Sequence, residues 1–536
     1  MDPLLLLAIA AAIFFGYRYI KAQYRYWEER GVPFVKPTFL LGNGTPVMFK
    51  KVDMLQHIQA LYQKFPTAKF IGLFDFHKPV LMIRDPSLVK QVGVKDFDHF
   101  SDHTPLFTRA DVEDIGGDSL FGNSLFMLRG QKWRDMRATL SPAFTSSKMR
   151  QMFELVSDCA KSAAEHFLNV ARQGDKAEVE MKDVFTRFSN DVIASVAFGI
   201  SVDSLREPTN DFYVNGKKLL NFQSALTLIK ILLFRTVPKL MMWLKLDLTS
   251  ADMNEYFKQM VINNMNHREK HGIVRNDMID ILMQVRKGKL QHSKEESKLQ
   301  DAGFATVEES SVGKRASSRV WTENELISQS FLFFTAGFDT VSTCLTFLSY
   351  ELMMNPDVQQ KLFEEIQATE KSLGGKTPGY EEFNRLKYLD MVISETLRLW
   401  PPAPFTDRMC IKDYMLNDGS GAQLKLKPGQ TVWFPITALH HDPIYYPNPY
   451  KFDPERFSEA NKHQINPGAY LPFGIGPRAC IGSRLALMEV KAIVYYLVKN
   501  FTLERTEKTR IPLQLKKSLV GMTVEGGMWI EFKPRA

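Results

Sequence analysis

The sequence predicts a mainly α-helical protein with small β sheets, and three observations lead to this fold class. Apolar residues recur with helical spacing over long stretches, above all at 147–285 and 322–354. Short apolar runs bounded by turn residues are confined to a few places, such as 70–85. Hydrophobic residues make up 45% of the 536-residue chain and aromatic residues 12%, which is enough for one large core.

Composition argues against several kinds of site. The four cysteines, Cys159, Cys344, Cys410 and Cys480, lie far apart and form no CxxC pair, so neither an iron–sulfur nor a zinc site is indicated. So few cysteines indicate a reducing compartment without a disulfide framework. The net charge of +8 comes without a strongly basic cluster, and it fits an anionic membrane surface or an acidic protein partner better than nucleic acid.

The most apolar stretch lies near the N-terminus, at residues 4–20. A bilayer-crossing helix needs about 20 residues, so this stretch is long enough to be an anchor. A cleaved secretory signal is the alternative, but no Lys or Arg precedes the run, whereas Arg18 and Lys21 end it. That order of charges predicts a lumenal N-terminus and a cytosolic body. The predicted division is an anchor, a proline-containing hinge and one folded domain, at 1–20, 21–45 and 46–536.

Two strands and a long loop open the folded domain. A helical pattern at about 51–64 precedes FIGLFDF and PVLMIRD, which read as strands joined near His77. Residues 101–130 then lack periodicity and carry hydrophobes such as Phe107 and Phe121. Long loops of this kind are often functional, and a plain surface loop explains these residues equally well.

A helix with a candidate anion clamp follows this loop. Trp133 and Arg137 stand four residues apart and therefore share a helix face. An indole N–H beside a guanidinium can hold a carboxylate. Taken alone, an amphipathic helix with a half-buried Trp and a solvated Arg explains the pair better.

Two unusual stretches precede the longest helix. Residues 228–246 are apolar with interspersed Lys, Arg and Pro, so they form either a buried helix pair or a surface that dips into the bilayer; we favour the second. Residues 286–320 are charged, Ser-rich and aperiodic. They predict a mobile polar surface connection rather than a domain boundary.

The longest helix is predicted from Thr322, which opens a T-x-x-E capping box, to Met354. Asn355-Pro356 ends it. At 1.5 Å per residue the helix is roughly 50 Å long, enough to cross a whole domain.

The middle of this helix contains three residues that disfavour a plain core helix. Gly337 costs about 1 kcal/mol in a helix interior, and Asp339 and Thr340 place an acid and an alcohol in an apolar run. Thr340 can bond the carbonyl of Ala336 and bend the helix. We predict a groove here in which Thr340 donates a hydrogen bond to bound dioxygen and Asp339 relays protons. A kinked core helix is the alternative.

The last third carries a predicted charge network. Glu395 and Arg398 share a face of an apolar helix, and Arg456 is the candidate third member. Residues 431–440 read as a strand. The C-terminal stretch from Ile511 reads as a hairpin with Gly526-Gly527 in or near its turn.

The loop FGIGPRACIG holds Cys480 among glycines that specify its backbone path. Its residue types suit a haem: a thiolate for iron, Arg478 for a propionate, and Phe473 as an apolar plate. A Gly/Pro turn with a chance cysteine is the alternative, and the apolar helix that follows makes it remote.

Five motifs, in this order, resemble those of the cytochrome P450 haem-thiolate monooxygenases, and the match covers essentially the whole chain. The motifs are WxxxR (Trp133, Arg137), AGxDT (Ala336 to Thr340), ExxR (Glu395, Arg398), PERF (Pro454 to Phe457) and FxxGxRxCxG (Phe473 to Gly482). The anchor and hinge resemble the microsomal type. AGFDTVSTCLTF and GFATVEES resemble insect family 9.

The resemblance implies a triangular-prism fold with haem b (iron protoporphyrin IX) between the long helix and the cysteine loop. It implies that Cys480 is the proximal iron ligand, and that Asp339 and Thr340 are the catalytic pair. The structural network would be Glu395, Arg398 and Arg456. The other haem contacts implied by the motifs are Trp133, Arg137, Ala336, Arg408, Phe473, Arg478 and Gly482.

The resemblance also implies partners. Electrons would come from NADPH through NADPH-cytochrome P450 reductase, with cytochrome b5 as a second candidate, at the cytosolic face of the endoplasmic reticulum. Such donors are acidic, which makes Arg129, Lys132 and Arg134 candidate contacts, although a solvated charge is the more ordinary interpretation of each. Nucleic acid is not expected.

Two positions depart from the pattern. His103 stands where related microsomal enzymes often have an Arg that contacts a propionate, and a His would make that contact pH-sensitive. Val341 stands where many members have Thr or Ser. Thr340 itself is intact, so the expected chemistry is unchanged.

Two other classes of function remain open from the residues. A haem-thiolate isomerase or dehydratase would rearrange peroxides without a reductase, and a membrane-anchored haem sensor or carrier would catalyse nothing. Neither needs the pair Asp339-Thr340, which therefore favours oxygen activation.

The resemblance implies insertion of one oxygen atom from O₂ into lipophilic substrates by hydroxylation, epoxidation or dealkylation. The family favours xenobiotics, including insecticides and plant toxins, and an endogenous hormone or lipid remains the alternative. The predicted substrate contacts are apolar: Phe107, Phe121, Phe334, Phe405 and Met522.

Overall fold

The computed structural model has a mainly helical body with small sheets. The predicted substrate contact Phe107 and most of the stretch 228–246 lie outside the described residues. Those residues are 3–104, 119–173, 177–219, 229–230, 233–234, 241, 244, 250–275, 277–288, 303–315, 319–419, 421, 423–518 and 521–535.

Helices make up most of the described chain. In chain order they are α1 (Pro3–Gln23), α2 (Thr45–Met48), α3 (Met54–Gln63), α4 (Pro86–Lys90), α5 (Gly130–Leu140), α6 (Ser146–Arg172), α7 (Met181–Phe198), α8 (Asp211–Leu219), α9 (Ala251–His271), α10 (Met278–Arg286), α11 (Glu323–Met354), α12 (Pro356–Leu373), α13 (Tyr380–Arg385), α14 (Lys387–Leu399), α15 (Ile436–His440) and α16 (Ser483–Asn500).

The strands of the described residues form small sheets. They are β1 (Phe70–Asp75), β2 (Lys78–Ile83), β3 (Glu178–Glu180), β4 (Thr406–Met409), β5 (Tyr414–Asn417), β6 (Gln423–Leu426), β7 (Thr431–Phe434), β8 (Phe501–Arg505) and β9 (Trp529–Pro534). A four-stranded sheet has the order β1-β2-β7-β4, with β2 and β7 parallel; a second sheet is β3-β9-β8, and β5 pairs with β6. The predicted strand pair at 70–85 is confirmed as β1 and β2.

Among the residues that the structure describes, two helices are long and apolar enough to cross a membrane. One spans Pro3–Arg30 and buries none of its most apolar window, and the other is α11, which is largely buried. Burial identifies α11 as the central core helix, because its apolar side chains contact protein on most sides. The exposed apolar surface of α1 fits a membrane anchor.

Helix α11 begins and ends as the sequence predicts. Thr322 and Glu325 form the reciprocal capping box, and Asn355 caps the other end. Gly337 lets α7 approach: a Cβ at this position would lie 2.5 Å from Ile193 Cδ1. The glycine that weakens the helix therefore permits the contact between the two helices.

Two predictions in the last third are wrong in detail. Residues 431–440 are not one strand, since β7 ends at Phe434 and α15 begins at Ile436. Pro435 has no N–H to continue the ladder. The C-terminal hairpin is short, with Lys516 N–H donating to Thr523 O at 2.8 Å. Gly526 and Gly527 lie beyond it, at the entry to β9.

Residues 303–315 have no regular secondary structure but are packed more closely than the predicted mobile connection 286–320. Ala305 and Val312 are buried, and the Phe304 ring lies 5.1 Å from that of Phe457. Composition alone does not reveal this packing, because its contacts are made with residues far away in the sequence.

Candidate active site

Three exposed residues of the cysteine loop and α11, Cys480, Ala336 and Thr340, define the candidate site, which we call the recess. Ala336 and Thr340 are exposed although most of α11 is buried, and they share one helix face with Phe333. The Phe333 ring lies 5.6 Å from that of Phe144, and Phe144 in turn lies beside Gly482. The exposed face of α11 is therefore connected to the cysteine loop through Phe144.

Thr340 forms a hydrogen bond within α11, whereas Asp339 forms an ion pair with another helix. Thr340 Oγ1 donates to the Ala336 carbonyl at 2.7 Å, as predicted. Asp339 is held by Lys182 of α7, whose Nζ lies 2.8 Å from Oδ1. Lys182 also donates to the hydroxyls of Ser342 and Thr343. The result is a chain of charged and hydroxyl groups next to the recess.

Lys182 is a functional candidate that sequence reasoning missed. Its contact with Asp339 spans 157 residues, and the local sequence MKDVF offers no motif. Its side chain is 19% exposed. A lysine so enclosed needs partners for its charge, and the carboxylate of Asp339 is the charged one.

The cysteine loop is fixed by its own backbone. Cys480 N–H donates to Phe473 O at 2.9 Å, and Ala479 N–H donates to Gly476 O at 2.9 Å. Gly476 has φ +72°, and a Cβ there would overlap the Gly93 carbonyl. Only glycine therefore fits this point of the loop.

Cys480 is an exposed residue, although nearby protein atoms desolvate its thiol. This burial raises the pKa of the thiol, whereas the backbone N–H of Gly482 and the charge of Arg137 lower it. Hydrogen bonds of this kind stabilise a thiolate. The loop thus supplies donors to the sulfur before any ligand is considered.

Arg478 and Trp133 pack face to face. The guanidinium lies 3.9 Å from the centre of the indole. It also donates to the carbonyls of Ser101 and Leu128, each at 2.7 Å. Burial lowers the pKa of Arg478 to about 9, so it remains charged at neutral pH.

Arg137 is buried rather than solvated. Its Nη1 donates to the Ala479 carbonyl at 2.8 Å, and its Nη2 donates to Glu309 Oε2 at 2.7 Å. One N–H on each terminal nitrogen remains for a further anion. The predicted propionate contact of Arg137 stays a prediction, and Glu309 is a partner that the sequence did not reveal.

Arg408 and His103 form the opposite rim of the predicted propionate site. Arg408 is fully buried, donates to Ile475 O at 2.7 Å, and its Nε has no partner among the described residues. His103 Nδ1 lies 2.8 Å from Asp407 Oδ1. Burial lowers the pKa of His103, so the ring is neutral at neutral pH and donates to the carboxylate.

The structure brings the three members of the charge network together. Arg398 and Glu395 are both fully buried, with Nε to Oε2 at 2.6 Å. Arg456 Nε reaches Glu395 Oε1 at 3.4 Å, and Arg398 Nη1 donates to His440 O. The additional hydrogen bonds satisfy a pair that would otherwise be costly to bury.

Two predicted substrate contacts are packed against other side chains, and their contact with substrate stays a prediction. Phe334 is fully buried, 5.2 Å from Phe212 by ring centres, and Met522 is buried beside Phe347. Phe121 and Phe405 are half-buried and stay candidates.

Two of the predicted donor contacts are already paired. Lys132 Nζ lies 2.7 Å from Glu325, and Arg134 Nη2 lies 2.8 Å from Asp98. The pair of Arg134 with the exposed Asp98 is of the weak surface type, whereas Lys132 and Glu325 are both largely enclosed. An acidic partner would therefore compete with these carboxylates for the two cations.

The residues present fit a haem. An accessible thiol receives a backbone hydrogen bond, the Ala336–Thr340 face of α11 is open, and the buried Nε of Arg408 lacks a partner among the described residues. Cysteine sulfur for iron, arginines for propionates and an open helix face are the donor set that this cofactor needs.

Comparison with known proteins gives the same family over almost the whole chain. The family model described as Cytochrome P450 matches residues 32–530. The chain is 44% identical to Cytochrome P450 9e2 of Blattella germanica, over 98% of this chain and 97% of the relative. It is 40% identical to Cytochrome P450 9c1 of Drosophila melanogaster, over 94% and 93%. It is 36% identical to Cytochrome P450 6k1 of Blattella germanica, over 97% and 95%.

Proposed function

Because this chain belongs to the cytochrome P450 family and is a monooxygenase, we propose that it oxidises lipophilic xenobiotics, such as insecticides and plant toxins, with electrons from NADPH. We further propose Cys480 as the iron ligand and Asp339 with Thr340 as the proton-delivering pair. The similarity to insect family 9 relatives supports the assignment to that family, and the xenobiotic role is our proposal from that resemblance.

The observation that carries the proposal is the arrangement around the recess. Cys480 is exposed on the loop, and Thr340 is exposed on the face of α11 that Phe144 connects to that loop. When bound, haem supplies dioxygen binding and oxidation of the substrate. The protein supplies the sulfur ligand, charged anchors for the propionates and a hydrogen-bonded route for protons.

The contacts of Thr340 and Asp339 suggest a separate role for each in proton transfer. Thr340 presents a hydroxyl at the recess and can donate there when it releases the Ala336 carbonyl. Asp339 is kept in place by Lys182 and accepts protons from solvent through its exposed side. One oxygen atom then enters the substrate and the other leaves as water, which consumes two electrons and two protons.

Turnover with a purified NADPH-cytochrome P450 reductase tests this function. We expect substrate-dependent NADPH consumption and oxygenated product, and neither without the reductase. A haem-thiolate isomerase would convert a peroxide with no reductase, and a haem sensor would bind substrate without product. Either outcome would contradict the proposal, as would NADPH consumption that never depends on substrate.

A spectral binding screen tests the substrate class. If the protein acts on xenobiotics, insecticides and plant toxins should shift the haem absorption at lower concentrations than hormones or fatty acids. The opposite order of affinities would favour an endogenous role. Cytochrome b5 added to the turnover assay tests the second donor.

Removing residues 1–20 is expected to shift the protein from the membrane pellet towards the soluble fraction. The exposed apolar face of α1 would be lost, and burying such a helix in lipid is strongly favourable. Fractionation of cells that express each form measures the shift, with an intact carbon monoxide spectrum as the control for folding. Unchanged pelleting would contradict an anchor at this position, and partial retention would indicate a second contact such as 228–246.

A further inference from the structure

Residues 303–315 run along the side of the cysteine loop and are tied down at two places. At one end, Phe304 N–H donates to Asp390 Oδ2 at 2.8 Å, and its ring packs against Phe457 and Tyr470. Further along, Glu309 reaches α5. We call residues 303–315 the strap; it contains the whole GFATVEES stretch, to which no role has been assigned beyond the contact of Glu309 with Arg137.

Both carboxylate oxygens of Glu309 accept hydrogen bonds from the Arg137 guanidinium. Arg137 Nε lies 3.2 Å from both carboxylate oxygens, and Nη2 lies 2.7 Å from Oε2. Ser141 Oγ donates to the same oxygen at 3.0 Å. Arg137 is 5% exposed, so its side of the ion pair is largely shielded from water. Because two nitrogens of the planar guanidinium bind the two carboxylate oxygens, the relative orientation of the two groups is also fixed.

The other side of the guanidinium supports the cysteine loop. Arg137 Nη1 donates to the carbonyl of Ala479, the residue before Cys480, at 2.8 Å. A continuous path therefore runs from the Glu309 carboxylate through Arg137 to the peptide that carries the thiol. Within the described residues, Glu309 is the carboxylate that forms an ion pair with Arg137.

The strap backbone is shaped to bring Glu309 to this point. A Cβ on Gly313 would overlap Ser141 Oγ and the Glu309 carboxylate, so a larger residue here would displace these two side chains from their present contact. Ser310 N–H donates to Glu309 Oε1 at 3.0 Å. These contacts orient the carboxylate from its own side.

We propose that Glu309 is a positioning residue for the sulfur ligand: it holds Arg137 so that the Ala479 carbonyl and the Cys480 thiolate keep the geometry needed to bind iron. Without the carboxylate, a buried guanidinium loses its counter-ion and turns towards other acceptors. The Ala479 peptide then loses its donor, and the thiolate loses a fixed positive neighbour. The inference rests on the proposed role of Cys480.

Glu308 provides a matched control. It precedes Glu309, carries the same charge and is exposed. The variants are therefore E309Q, E308Q and E309D, made in the full-length haem-containing protein. E309Q removes the charge at constant size, E308Q does so one residue away, and E309D keeps the carboxylate on a shorter side chain.

The measurement is the rate at which the reduced carbon monoxide complex loses its red-shifted band under mild urea, with resonance Raman spectra of the iron–sulfur stretch. Loss of a hydrogen-bonded partner by a buried charge predicts a rate increase of about tenfold or more for E309Q. We expect an intermediate rate for E309D and the parent rate for E308Q. Equal rates for E309Q and E308Q would overturn the inference, as would an unchanged iron–sulfur stretch in E309Q.

A double-variant comparison separates this role from general stability. If Glu309 acts through Arg137, adding E309Q to R137A changes the rate by less than about twofold, whereas independent effects multiply. Multiplying effects would overturn the inference. Circular dichroism under the same conditions shows whether the fold is kept; if E309Q does not accumulate, E309D carries the test. A band that survives Cys480→Ala would instead contradict the proposed ligand, which is a separate failure.

Discussion

Cys480→Ala is expected to abolish the red-shifted absorption band of the reduced carbon monoxide complex while the fold is retained. The substitution removes one sulfur atom from a loop whose shape depends on backbone hydrogen bonds, including Cys480 N–H to Phe473 O, which an alanine keeps. The band reports thiolate coordination, so its loss does not require unfolding. Absorption spectra of the reduced protein with carbon monoxide measure it directly.

Cys159→Ala is the matched control for this experiment. Cys159 is a free cysteine on α6, half-buried and remote from the loop, and burial raises the pKa of its thiol to about 12. It is therefore a poor thiolate at neutral pH. We expect the Cys159 variant to keep the band in full. A band retained by Cys480→Ala, or lost by Cys159→Ala alone, would refute the ligand assignment.

The cysteine loop could be predicted from sequence because its chemistry is local. Gly474, Gly476, Phe473, Arg478 and Cys480 lie within eight consecutive residues, and each residue type has a specific reason to be there. The capping box at Thr322 and the bond from Thr340 to Ala336 are equally local, since they join residues three or four apart. Short-range geometry of this kind follows from helix and turn rules.

What the sequence could not provide are contacts between distant segments. Lys182 meets Asp339 across 157 residues, and Arg137 meets Glu309 across 172. Phe334 was predicted as an apolar substrate contact on the long helix, and the structure packs its ring among aromatic side chains of the core. The sequence shows which residues share a helix face, but which face points to the core depends on where the neighbouring helices lie. The prediction of one strand at 431–440 failed for a local reason, the proline at 435.

Thr340→Ala is expected to raise hydrogen peroxide release and to lower product formed per NADPH by about tenfold or more, since a positioned proton donor contributes about 10²–10⁴-fold. The hydroxyl at the recess is removed, and reduced dioxygen that is not protonated productively leaves as peroxide. Peroxide and product are measured together in the reductase assay. Unchanged coupling would count against the assignment.

Thr346→Ala is the control on the same helix. Thr346 Oγ1 donates to the Ser342 carbonyl at 2.7 Å, the same backbone bond that Thr340 makes to Ala336, but Thr346 is buried in the core. The two variants therefore lose the same helix contact, and only Thr340→Ala loses a hydroxyl at the recess. We expect Thr346→Ala to keep the parent ratio of product to peroxide. Equal uncoupling in both would show that helix bending, rather than proton supply, is responsible.

The ion pair between Lys182 and Asp339 allows a test of the proposed proton route on the solvent side of Thr340. Asp339→Asn removes the carboxylate and is expected to slow turnover by about 10²-fold and to increase the solvent deuterium isotope effect. Lys182→Met should slow turnover less, because it removes the cation that pairs with Asp339 but keeps the Asp339 carboxylate. If Lys182 acts by orienting Asp339, then Lys182→Met should have little further effect once Asp339→Asn is present. Independent effects of the two substitutions would mean that Lys182 supports α11 through Ser342 and Thr343 instead.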